Sequence, residues 1–271
     1  MVCYIPMNKR RLISLDLDGT LLDPDYHISE LTISLLRRLE QDGNIIFLNS
    51  GRPVRTLEKY HNLIGLSSPY CAYAGEFVGR LNSPCLPHFD PCFHKKDILP
   101  VLKGIEDKIQ FFMAENHFHQ VQNKSNPFLD KYFPPEGIDS KMVNSLDEII
   151  DDIKIMVIES DADILDYLEN SLADVPIHVH PWKEKNYYEF VVDGLDKGTA
   201  IALAASAYGI ERNDIYAFGD SPNDFPMLEA AGHPFAMLGC KSSKLATAFP
   251  ATKKGNAEDG VAYQLLLELG D

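Results

Sequence analysis

The stretch from Leu12 to Leu22, Leu-Ile-Ser-Leu-Asp-Leu-Asp-Gly-Thr-Leu-Leu, limits what this chain can fold into more than any other. Its apolar run, Leu12 to Leu17, reads as a strand buried on both faces, and two carboxylates stand at its end. Asp16 and Asp18 are two residues apart, so in extended chain their side chains leave the same face. Gly19 permits a sharp turn directly after them. Two like charges held this close call for a bound cation, or for one of the pair to take a proton. A lone Asp-x-Asp-Gly is also what a plain turn at a strand end looks like, so the rest of the chain has to decide.

The pattern that follows is strand, helix, strand, helix, strand. Ser29 is placed to cap a helix running through Gln41, with Leu31, Leu35, Leu36 and Leu39 at helical spacing and Gly43 as its stop. Residues 44–48 form a second apolar strand that ends on Ser50, Gly51 and Arg52. Pro53 opens a helix over Val54 to Ile64, and residues 69–75 read as a third strand. This alternation predicts an α/β chain with a parallel sheet. From about residue 83 prolines break the pattern. Strands at Ile153 to Ile158, Ile177 to His180 and Tyr187 to Val192, with a helix over Asp163 to Leu172, predict an α+β module set into the first one. At Asp196-Lys197-Gly198 the alternation resumes with a helix over Thr199 to Tyr208. A strand from Ile215 to Asp220 follows, then a helix from Pro222, a short strand at Pro234 to Met237, and helices at Lys241 to Ala248 and Glu258 to Leu269. The expected bounds are residues 1–82 and 190–271 for the sheet domain and 83–189 for the insert.

Open α/β sheets bind ligands at the carboxyl ends of their strands. Four segments bring polar groups to such ends: Asp16 with Asp18, Ser50, Lys197, and Gly219-Asp-Ser-Pro-Asn-Asp224. Together they supply a nucleophile, a hydroxyl, a cation and further carboxylates, the parts that phosphoryl transfer needs. Oxygen donors from separate loops suit Mg²⁺, a hard cation.

As an ordered set, Asp16-Leu-Asp-Gly-Thr-Leu21, Ser50-Gly-Arg52, Asp196-Lys-Gly198 and Gly219-Asp-Ser-Pro-Asn-Asp224 resemble the four motifs of the haloacid dehalogenase-like hydrolases. The Ser-Gly-Arg form, the insert between the second and third motifs, and Glu258-Asp-Gly-Val261 look like the Cof-type phosphatases of that superfamily. The resemblance implies a Rossmann-like parallel sheet core with an inserted α+β cap domain. It implies a phosphatase of small phosphomonoesters, sugar phosphates or related metabolites, working through an aspartyl-phosphate. Asp16 would be the nucleophile, and Asp18 the acid that protonates the leaving oxygen and then activates water. Ser50 would hold a phosphoryl oxygen with Gly51 and Arg52 beside it, and Lys197 would neutralise developing charge. Asn223 would orient the phosphoryl group or Lys197. Asp16, the backbone carbonyl of Asp18, Asp220 and Asp224 would hold Mg²⁺. Two stretches depart from the family pattern: Ala74-Gly75-Glu76, where Asn-Gly-Ala is usual, and Met237-Leu-Gly-Cys240, where Met-Gly-Asn-Ala is usual. A phosphomutase of the same fold and a non-catalytic phosphometabolite sensor are the alternatives.

The formal net charge of −15 argues against a nucleic-acid partner. No apolar run approaches the roughly 18 residues that span a bilayer. Five cysteines without paired spacing suit a reducing compartment, so a cytoplasmic location is expected. The resemblance implies a small phosphorylated metabolite as partner, and a monomer or homodimer is expected. Cys85, His88, Cys92 and His94 have zinc-binding chemistry but no standard spacing, and are read as loop residues. His117 with His119, and His178 with His180, are pairs at strand spacing. Trp182, Tyr187 and Tyr188 are read as packing residues and Glu189 as a strand charge. Asp147, Glu148, Asp151 and Asp152 are read as a solvated helix face.

Overall fold

The computed structural model describes residues 10–81, 86–182, 186–240 and 242–270. By contacts the chain forms two units. The first takes in Met1–Gly51, Thr56–Phe89 and Asp196–Asp271; the second takes in Arg52–Arg55 and Asp90–Leu195. Among the described residues, no helix is long and apolar enough to cross a membrane.

The chain begins with β1 (Leu12–Leu15), α1 (Glu30–Gln41), β2 (Ile45–Leu48) and α2 (Val54–Ile64). α1 starts where the sequence says it should, because Ser29 Oγ accepts a hydrogen bond from the Thr32 amide. Next come β3 (Tyr70–Ala72) and β4 (Phe77–Gly79), an antiparallel pair. The third strand expected from the sequence is therefore half of a hairpin. It touches the parallel sheet through one bridge, between Asn49 and Cys71. Ala74 turns the chain with φ +52° and Gly75 with φ +128°.

The second unit runs through β5 (Phe93–His94), α3 (Lys95–Lys103), β6 (Ile109–Glu115), β7 (His119–Gln122) and β8 (Asp139–Met142). It continues with β9 (Asp152–Ile153), β10 (Ile155–Ser160), α4 (Leu165–Ser171), β11 (Ile177–Pro181) and β12 (Tyr187–Val192). Six of these strands make a sheet in the order β11-β12-β10-β6-β7-β8, and β5 pairs with β9 separately. All neighbours in the large sheet are antiparallel except β7 and β8. One face is dry: Phe112, Ala114, Met156, Ile158, Tyr188 and Phe190 pack with Ile98 and Leu102 of α3 and Leu168 of α4. The other face carries Glu115, fully buried, whose carboxylate takes both arms of the Arg55 guanidinium at 2.9 and 3.0 Å. The acidic run 147–152 is not a helix. It is a single tight turn at Leu146–Glu148 followed by β9, and Asp152 stands on a strand.

The first unit is completed by α5 (Lys197–Tyr208), β13 (Ile215–Gly219), α6 (Phe225–Ala230), β14 (His233–Ala236), α7 (Ser243–Ala248) and α8 (Gly260–Leu269). Its four-stranded sheet is parallel throughout, in the order β14-β13-β1-β2. Leu12, Ile45, Phe47 and Ala217 on one face pack with Ala200, Ile201 and Ala204 of α5 and with Met227 and Leu228 of α6. Ile13, Leu15, Ile46 and Leu48, which alternate with them, are also fully buried. Burial on both faces is why these strands are apolar without alternation. The chain leaves β1 towards β2 on one side and returns much later as β13 on the other. The order of strands thus reverses at β1, and the carboxyl end of β1 is where such sheets open a crevice.

Candidate active site

Asp16 lies at that end. The strand stops at Leu15, two residues short of the apolar run, but the Asp16 amide still donates to the Phe218 carbonyl at 3.1 Å. From Leu17 the backbone makes one wide turn, with Gly19 at φ +77°. A side chain at Gly19 would be strained by that φ and would also land on the Asp220 carboxylate. The two acidic motifs, on neighbouring strands β1 and β13, are thus brought into van der Waals range by a glycine.

Lys197 is the hub. It is almost wholly buried, and its Nζ donates to Asp16 Oδ1 and to Asp224 Oδ1, each at 2.6 Å. It is held from behind as well. Asp196 caps α5 by accepting the Thr199 amide at 2.7 Å, and Asn49 Nδ2 donates to the Lys197 carbonyl at 2.9 Å. Asp224 is itself fixed: its Oδ2 accepts the amides of Asp220 and Ser221, both at 2.9 Å. Gly219 leaves room for this, since a Cβ there would lie 2.5 Å from Asp224 Cβ.

Carboxylate oxygens of Asp16, Asp220 and Asp224 all lie within 4.8 Å of one another. One lysine cannot balance three acids. Burial, and then the charge of Asp224, push the Asp16 carboxyl above its ordinary value, while Lys197 opposes the shift. Asp220 is pushed up to about 6 by the same two causes. Burial lowers the Lys197 ammonium, but its two carboxylate partners reverse that and hold it protonated. Asp220 Oδ1 is buried and has no hydrogen-bond partner among the described residues. An orphaned acceptor beside an excess of carboxylates fits a hard divalent cation: these oxygens could hold one, and it would supply the missing positive charge.

The other expected site residues are placed as follows. Ser50 is buried at the carboxyl end of β2, the neighbour of β1, with its amide on the Cys71 carbonyl at 3.0 Å. Asp18 is half-buried in the turn, close enough for its charge to raise Asp220. Gly51 belongs to the first unit, whereas Arg52 groups with the second. Asn223 has an exposed side chain, which accepts from Ser221 Oγ at 2.5 Å. Asp224, one residue on, is what orients Lys197. Asn49 was not singled out in the sequence. Its only signal there is a polar residue closing an apolar strand, immediately before Ser50.

A fold and an acid cluster of this kind define a class, and comparison with known proteins agrees. The family model described as haloacid dehalogenase-like hydrolase matches residues 13–265. A 5-amino-6-(5-phospho-D-ribitylamino)uracil phosphatase of Bacillus subtilis is 30% identical over 94% of this chain and 96% of its own. A pyridoxal phosphate phosphatase of Escherichia coli is 23% identical over 96% of this chain and 93% of its own. The crystal structure of a haloacid dehalogenase-like hydrolase from Bacteroides thetaiotaomicron superimposes with a TM-score of 0.78 at 26% identity, covering 94% of this chain and 98% of that one. The chain belongs to the haloacid dehalogenase-like hydrolase family, as an enzyme of its phosphatase class.

Proposed function

We propose that this protein is a Mg²⁺-dependent phosphatase of small phosphomonoesters that works through a phosphorylated Asp16. The observation that carries the reading is the buried set Asp16, Lys197 and Asp224, with the orphaned oxygen of Asp220 beside it. Asp16 attacks phosphorus with the carboxylate oxygen that Lys197 does not engage, and the leaving oxygen departs from the opposite side. Asp18, in its glycine-permitted turn, gives that oxygen a proton and then takes one from the water that cleaves the aspartyl-phosphate. Ser50 and Lys197 hold phosphoryl oxygens as charge spreads onto them. Mg²⁺, held by Asp16, Asp220 and the Asp18 carbonyl with Asp224 behind, would offset the repulsion between a carboxylate and an anionic ester.

The substrate is a phosphorylated metabolite. The relatives named as phosphatases of a ribitylaminouracil phosphate and of pyridoxal phosphate support including ring-bearing esters alongside sugar phosphates. The test is phosphate release over a panel of sugar, nucleotide, polyol and pyridoxal phosphates with added Mg²⁺. Metal-dependent turnover of one or more is expected. No release from any of them, or isomerised ester in place of free phosphate, would contradict the proposal.

A further inference from the structure

The zinc-type residues noted in the sequence are split by the fold. Cys85 lies outside the described residues. His88 belongs to the first unit, its ring edge-on to Phe77 with centroids 6.0 Å apart. Cys92 and His94 belong to the second unit and meet Asp152, which no spacing along the chain joins to them. The ribbon of β5 and β9 pairs Phe93 with Ile153 and His94 with Asp152. Phe93 and Ile153 point into the dry core. His94 takes the opposite face with Asp152 directly across from it, and Cys92 immediately precedes the strand. Cys92 Sγ, a ring nitrogen of His94 and a carboxylate oxygen of Asp152 all lie within 4.8 Å of one another.

We propose that Cys92, His94 and Asp152 form a second metal site, for Zn²⁺ or a similar borderline first-row ion, distinct in place and chemistry from the carboxylate cluster of the first unit. Thiolate, imidazole and carboxylate are zinc's three protein donor types, and three of them leave a fourth position for water. Tetrahedral bonds of about 2.0–2.3 Å put donors roughly 3.3–3.8 Å apart, within reach of these atoms by small side-chain rotations. The ribbon is held in place around them. Its apolar face is anchored in the core, the Lys95 amide donates to the Asp151 carbonyl at 2.9 Å, and Asn116 Nδ2 donates to the Asp152 carbonyl at 3.0 Å. His94 Nδ1 already lies 2.9 Å from Asp152 Oδ1. That ion pair needs no thiol, yet Cys92 Sγ lies within 4.8 Å of a donor atom of each partner. The bound ion would tie the first strand of the unit to a segment far along the chain, closing a long loop.

Cobalt distinguishes the two sites, because only a thiolate gives sulfur-to-metal charge-transfer absorption. Full-length protein, stripped with chelator and kept reduced with a phosphine, is titrated with Co²⁺. The near-ultraviolet charge-transfer band should appear in the natural chain and in Asp16→Asn, and Zn²⁺ should remove it. It should be absent in Cys92→Ser. His94→Ala, at an exposed position, should weaken Co²⁺ binding at this band by roughly tenfold or more while leaving the far-ultraviolet circular dichroism unchanged. No band in the natural chain, a band that survives in Cys92→Ser, or unaltered affinity in a folded His94→Ala would overturn the proposal.

Discussion

Asp16 and Lys197 show how much chemistry one buried contact can set. With a 2.6 Å bond to each of two carboxylates, Lys197 is oriented before any ligand arrives. Asp16→Asn keeps the shape but loses the nucleophile, so turnover should fall on the order of 10³-fold or more while the protein still folds. Circular dichroism beside a phosphate-release assay checks both halves. Asp224→Ala acts differently. It removes a partner of a buried cation and uncovers the amides of Asp220 and Ser221, so it should cost about 3–5 kcal/mol in denaturant unfolding as well as activity. The acids were legible from sequence because two short motifs cluster them. The hydrogen bonds of Asn49 and Asp224 to Lys197 were not, since each spans more than twenty residues, and local spacing cannot show which neighbour receives a hydrogen bond.

Among the elements, those with local signals were readable. Ser29 caps α1, Pro53 precedes α2, and Asp196 caps α5, which starts two residues earlier than its alanine-rich body suggests. Asp196→Ala should cost about 1 kcal/mol and shift the start of α5, raising KM or lowering kcat through Lys197; a stability curve and steady-state kinetics would show both. Where local signals misled, the cause is tertiary. Pro91 and Pro100 mark the α3 stretch as loop in the sequence, yet Ile98 and Leu102 bury an apolar stripe that holds a proline-bearing helix together. The acids of β9 imitate a solvated helix face in the sequence, whereas pairing with β5 makes it a strand. The turn at Gly19 belongs to this scale too. Gly19→Ala should cost about 1–2 kcal/mol for its positive φ and should also displace Asp220, so its loss of activity should exceed its loss of stability.

For the molecule as a whole, the parallel sheet and the interruption by an antiparallel module follow from the order of apolar runs, and the relatives match across nearly the full chain. Pairings such as Arg55 with Glu115 were beyond the sequence, because each residue alone reads as a surface charge. Arg55→Ala should lower stability by about 3 kcal/mol or more, since it leaves the fully buried Glu115 carboxylate without its cation. Chelation with EDTA should stop hydrolysis, and Mg²⁺ should restore it. The most direct test of the account is chemical trapping: acid quench during turnover, then peptide mass analysis. The account predicts one phosphoryl mass on the peptide containing Asp16, removable by hydroxylamine and absent in Asp16→Asn. Turnover with no such adduct, or with the phosphoryl group on another residue, would contradict it.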